Sequence, residues 1–344
     1  MGVRPWLPNK DCAVSTLLQL AWYYLFFVMP GVDRKACMQR LLDAAQWPGP
    51  VWGMTLGFLS MMYIGSILCF VGMGVVYWAN LPFLEQYRIR PEPWPWNGVK
   101  KASNDEADNG ADDTPGAAYI AMVREVVKKY CADLVVGVPV CGGMLFLFLS
   151  SLPAEEFEKA VADTPDWQVS AWQIMLGLIL FDTWFYFGHR LLHSPSLYAR
   201  CHKRHHEFRT TMSMTGVWGT AEDGLLTMLV PGLLPIFMLK MHFWTSCMFT
   251  FIHYLQSVDD HCGYAFPFSP MRLIPFGGYP TEHNFHHSHC GGVPSRGNFA
   301  LYFPFWDWAC GTNVAWLAYL EKNELEEWSL LPKKEIGGQK VKAR

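Results

Sequence analysis

Nine of the chain's twelve histidines stand in positions that a metal ion could use, and all twelve lie between His189 and His289. The clusters read His189-Arg-Leu-Leu-His193, His202-Lys-Arg-His205-His206 and His283-Asn-Phe-His286-His287, and His261 stands alone before Cys262. Neutral imidazole is a common ligand of transition metals and titrates near physiological pH. Core packing explains such density poorly, because every buried ring brings a donor and an acceptor that must both be paired. On a helix, spacings of i, i+3 and i+4 put the members of each cluster on one face.

Three helical faces plus His261 supply more imidazoles than one ion takes, so two metal ions are expected. A closed structural zinc site commonly includes cysteine, and no cluster contains a well-spaced one. A hydrolytic HExxH site needs a glutamate where Arg190, Leu191 and Leu192 stand. Ligand type alone suits several metals; two Fe ions that activate oxygen are the expectation that fits best. Ligating histidines often pass their second N–H to a carboxylate. Asp182, seven residues before His189 and so on the same helical face, is expected in that supporting role, and Asp259 and Asp307 are candidates for His261 and the last cluster. His242 reads as an interfacial residue, while His253 and His289 stay open.

The elements that must position these residues are apolar. A hydrophobic fraction of 51%, 16 Trp and 17 Met against 17% charged residues, with a mean hydropathy of +0.10, indicate an all-α integral membrane protein. The net charge of −3 gives no reason to expect nucleic acid as a partner. Ten scattered cysteines without a CxxC pair argue against a disulfide framework. Apolar runs at residues 13–29, 51–79, 134–152 and 171–187 predict four or more transmembrane helices, the first of them uncleaved because it lacks a small-residue cleavage pattern. Runs at 225–239, interrupted by Pro231 and Pro235, and at 241–255 look too short to span singly, and predict a membrane-embedded hairpin that leaves and returns on one side. The loop at 82–130 carries seven Lys and Arg residues where the 153–170 loop carries one lysine, which puts the histidines in a cytosolic helical cap. The expected organisation is N-terminal transmembrane helices (1–90), a flexible cytosolic linker (91–118), a catalytic domain with membrane helices (119–320) and a cytosolic tail (321–344).

At these residues the chain resembles the fatty acid hydroxylase / sterol desaturase superfamily of membrane di-iron oxidases. Asp182-Thr-Trp-Phe-Tyr-Phe-Gly-His189-Arg-Leu-Leu-His193 is similar to the first histidine box and Tyr198-Ala-Arg-Cys-His202-Lys-Arg-His205-His206 to the second. His261-Cys-Gly-Tyr, His283-Asn-Phe-His286-His287, Gly297-Asn-Phe and Trp306-Asp307 look like the sterol-acting branch, in particular C-4 methylsterol monooxygenases. The resemblance implies oxidation of a sterol 4-methyl group with O2, and electrons from cytochrome b5 and its NAD(P)H-dependent reductase. It also implies His261 as a ligand. No His-Pro-Gly-Gly haem motif occurs, so the cytochrome would be a separate partner. The ending Lys340-Val-Lys342-Ala-Arg344 fits a dilysine retrieval signal, hence a multi-pass endoplasmic reticulum protein with a cytosolic site. The same centre would serve a sterol C-25 hydroxylase, a sterol C-5 desaturase or a fatty-chain hydroxylase. A divalent-metal transporter would repeat polar residues at mid-depth along several spans, and the first three here are almost bare of them.

Overall fold

A computed structural model describes residues 50–79, 81–89, 116–151, 153, 165–290, 295, 297–323 and 325. The expected first span at 13–29, residues 91–115 of the expected linker and the C-terminal signal lie outside the described residues, and the linker's last three residues, 116–118, already belong to a helix. Among the described residues no strand forms, and the regular elements are helical; an isolated antiparallel bridge pairs Arg88 with Tyr264. The helices used below are α1 (Pro50–Ala79), α2 (Gly116–Ala132), α3 (Val138–Ser151), α4 (Trp167–Leu192), α5 (Val230–Met238), α6 (Phe243–His261), α7 (Pro280–Phe285), α8 (Phe305–Ala309) and α9 (Val314–Lys322).

Helix α4 is the axis of the molecule. Asp166 caps it by accepting the N–H groups of Gln168 and Val169, which have no partner inside the first turn. Its buried stripe, Leu178, Phe181, Asp182, Phe185, Tyr186, His189 and Leu192, follows the helical period. The opposite face exposes apolar rings, with Trp172 76% exposed. Gly177 lets α6 approach, since a Cβ there would meet Phe249 and Met241 at under 3 Å.

The run at 225–239 is not interrupted by its prolines. It joins a preceding turn of helix, Ala221–Gly224, through a wide π-turn at Leu225–Leu229 and continues into α5. Val230 N–H bonds to the Leu225 carbonyl five residues back, so the pairing shifts by one just before Pro231, a residue that has no N–H to give. The resulting helix, Ala221–Met238, and α4 are the two described helices long and apolar enough to cross a membrane. The run at 241–255 likewise lengthens into α6, because the polar turn from Gln256 to His261 stays helical and buried.

Side-chain contacts fix the directions. Gln173 near the start of α4 donates to Leu239 O at 2.9 Å, whereas Gly188 near its end lies against Leu226 O. The 221–238 helix therefore runs antiparallel to α4. Ser170 and Thr245 hydroxyls meet at 2.8 Å at the starts of α4 and α6, and Phe181 stacks on His253 further along, so those two helices are parallel. α1 and α3 form an antiparallel pair, with Trp52 on Phe146 and Tyr63 Oη donating to Leu134 O. At the far end of α1, Tyr77 donates to Cys262 O and accepts from Ser213 N–H. His189, Asp223 and His261 thus collect at one end of the helical hairpin.

Candidate metal centre

The nine expected histidines all converge there, in two groups. His189, His193, His202, His206 and His286 form the first, and His205, His261, His283 and His287 the second; within each group the candidate ligand nitrogens lie within 4.8 Å of one another. All nine are buried. The HxxHH boxes do not act as units. His202 and His206 enter the first group and His205 the second, while His283 and His287 enter the second and His286 the first.

Local backbone makes this division. His202 closes a π-turn, Tyr198–His202, and His205 and His206 begin a tight 3-10 turn, His205–Glu207. His283 lies in α7, and His286 opens a second π-turn, His286–Cys290. A continuous α-helix would aim i and i+3 to one side, as the spacing predicts; these changes of helical width re-aim them. The two groups stay adjacent, with ring centroids of His206 and His287 4.6 Å apart.

The histidines are held by their outer nitrogens. Nδ1 of His189 donates to Phe299 O at 2.8 Å, that of His286 to Gly297 O at 2.7 Å, that of His205 to Trp218 O at 2.9 Å and that of His261 to Ser257 O at 2.7 Å. A carbonyl only accepts, so each of these rings carries its proton on Nδ1 and a lone pair on Nε2. His202 Nδ1 lies 3.0 Å from Asp223 Oδ1, with the same consequence. Yet Nε2 of His189 faces Nε2 of His202 at 3.0 Å, and His206 Nε2 lies 3.1 to 3.2 Å from those of His202, His193 and His286. In the second group, Nε2 of His283 is 3.1 Å from that of His261 and 3.2 Å from that of His287. Lone pairs at such separations repel unless a cation lies among them, and the donor set suits iron. Burial pushes the imidazole of His205 down to about 4 and, with His205 as a second cause, that of His261 down to about 3. At neutral pH both are neutral, the form that ligates.

The three expected carboxylates do not touch a histidine. Asp182 accepts backbone N–H groups from Leu301, Tyr302 and Phe303, and Asp307 accepts those of Phe299 and Ala300. Asp259 pairs with Arg272, which also donates to Gly278 O. Asp182 and Asp307 supply acceptors to loop N–H groups, and a buried carboxylate takes several such bonds. The carboxylate that does reach a histidine, Asp223, was not expected. Its sequence signal is Thr220-Ala-Glu-Asp223, which reads as a helix start, and Thr220 Oγ1 does accept Asp223 N–H. His253 belongs to neither group; it bonds Tyr302 Oη at 2.5 Å. His242 caps α6 through Trp244 N–H, and His289 stacks on Phe285.

Residues 174–312 match the family model for fatty acid hydroxylase. The chain is 31% identical to methylsterol monooxygenase 2-2 of Arabidopsis thaliana, over 74% of this chain and 84% of the relative. It is 30% identical to the very-long-chain aldehyde decarbonylase GL1-11 of Oryza sativa subsp. indica, over 58% of this chain and 71% of the relative. Methylsterol monooxygenase 1 of Gallus gallus is 30% identical over 55% of this chain and 60% of its own length. No solved structure matches. With a histidine set that could hold metal ions at the centre of the matched segment, this chain belongs to the fatty acid hydroxylase family, whose members are iron-dependent oxidoreductases.

Proposed function

We propose that the chain is a membrane di-iron monooxygenase of sterol biosynthesis, oxidising a C-4 methyl group of a sterol precursor. The observation that carries this reading is the pair of convergent histidine groups at one end of an apolar helical hairpin, in a chain that covers 84% of a methylsterol monooxygenase. His189, His193, His202, His206 and His286 would hold one iron, and His205, His261, His283 and His287 the other. Bound iron supplies the activation of O2 that attack on an unactivated C–H bond requires.

The protein's own part is to keep the ligands neutral, oriented and dry. Five Nδ1 partners fix five of the rings, that of His202 being the carboxyl group of Asp223. Phe185 lies 5.1 Å from the His189 ring, and Phe299 lies 5.4 to 5.8 Å from His193, His189 and His286, so aromatic faces keep water from the first group. Electrons would come from cytochrome b5 and its reductase. The catalytic unit would occupy residues 119–320 of an endoplasmic reticulum protein with four or more spans and a cytosolic site, a placement supported by the loop charges.

The decarbonylase relatives favour a second reading, in which a long-chain aldehyde takes the place of the sterol. Sterol and lipid profiling by mass spectrometry in cells lacking their own C-4 methyl oxidase, with and without this chain, separates the two. Loss of 4,4-dimethylsterols with rescue of growth supports the first; persistence of those sterols with loss of long-chain aldehydes supports the second.

A further inference from the structure

Between Gly297 and Phe303 an irregular strap crosses the first histidine group, and each of its backbone N–H groups is paired. The N–H of Asn298 bonds to Thr312 O, those of Phe299 and Ala300 to the two oxygens of Asp307, and those of Leu301, Tyr302 and Phe303 to Asp182. Six successive donors are therefore fixed, five of them by two buried carboxylates. The carbonyls of Gly297 and Phe299 point the other way, onto Nδ1 of His286 and His189. The strap enters with Gly297 at φ +116°, where the Thr312 carbonyl fills the space a Cβ would need. Thr312 Oγ1 in turn donates to Asp307 Oδ1 at 2.6 Å.

We propose that Asp182 and Asp307 are positioning residues for the first metal: by clamping this strap they set the ring orientation and tautomer of His189 and His286. The proposal rests on the two-metal reading given above. The second group takes its carbonyl partners from Trp218 and Ser257, which are not on the strap, so the effect is confined to one metal. An amide in place of either carboxylate turns an acceptor into an NH2 facing a backbone N–H. The strap then slackens at that point.

The test is iron release from the full-length holoprotein in lipid nanodiscs, followed with a coloured ferrous chelator under reducing, anaerobic conditions. The wild type should hold two irons per chain and release them in two phases. His205→Ala, which removes a second-group ligand, identifies the phase that belongs to the first group. In Asp182→Asn and Asp307→Asn that phase should accelerate roughly 10- to 100-fold while the other is unchanged. Should either variant fail to reach the membrane, Thr312→Val, which removes one hydrogen bond to Asp307, should accelerate the same phase to a smaller extent. Equal acceleration of both phases, or none in any variant, overturns the clamp. A wild type that binds a single iron overturns the two-metal reading instead, whatever the strap does.

Discussion

At the residue scale the informative unit is the second ring nitrogen. An imidazole becomes a ligand with a defined direction only when its other nitrogen is committed, and here five of the nine commitments are visible: four to backbone carbonyls and one to Asp223. Asp223→Asn should weaken iron binding in the first group roughly 10- to 100-fold and leave the second unchanged, measured by metal content after dialysis against a chelator. On the two-metal reading His205→Ala removes one of the four described histidines of the second group, so that group should lose its iron and oxidation of the lipid should stop while membrane insertion is intact. Full turnover by that variant would sink the ligand assignment.

Elements decide how these residues are held apart or brought together. The π-turns at Tyr198–His202 and His286–Cys290 send neighbouring histidines of one box into different groups, and the second of them rests on α9. Trp316 of α9 is 1% exposed and packs with Phe285, Cys290 and Leu320 beneath α7. Trp316→Ala should cost about 3–5 kcal/mol of stability, read as a fall in the thermal transition of the detergent-solubilised chain. Between α4 and α6 the opposite error is informative. Gly177→Ala adds a Cβ against Met241 and Phe249, and overpacking there should cost about 1–3 kcal/mol in the same measurement.

For the molecule as a whole, burying so many neutral imidazoles links stability to pH. His205 and His261, pushed down to about 4 and about 3, stay unprotonated in the fold after an unfolded chain has begun to charge them near its ordinary value of about 6.5. Between those values the unfolded state binds more protons, so stability is full above about pH 6.5 and declines as the pH falls toward 4 and 3. Thermal melts of the metal-free chain from pH 8 to pH 4 should show this decline, and bound iron should delay it. A flat profile would mean that these rings are not buried in neutral form. The outward apolar faces of α4 and of the 221–238 helix, where Trp172 is 76% and Phe237 68% exposed, add a second whole-molecule property: the chain should leave the membrane only with detergent.

Sequence alone was enough to single out the nine histidines that converge, the helical character of the chain and the helices around residues 50–79 and 167–192, because residue type, spacing and apolar period are local properties. It could not divide the histidine boxes. Spacing assumes one helical width, and the departures at residues 198–207 and 286–290 arise from how the chain folds back onto α4, α6 and the strap. Nor could it name the carboxylates' direct partners. Asp182 and His189 do share a buried face, as a seven-residue interval requires, but which donors Asp182 meets depends on a loop 119 residues away. Asp223, by contrast, was in plain view as part of a helix-start pattern, and only the approach of His202 from another segment turned it toward the site. Backbone carbonyls carry no side-chain signature, so those of Gly297, Phe299, Trp218 and Ser257 became partners of histidines only through tertiary structure, which alone sets distances between residues far apart in the chain.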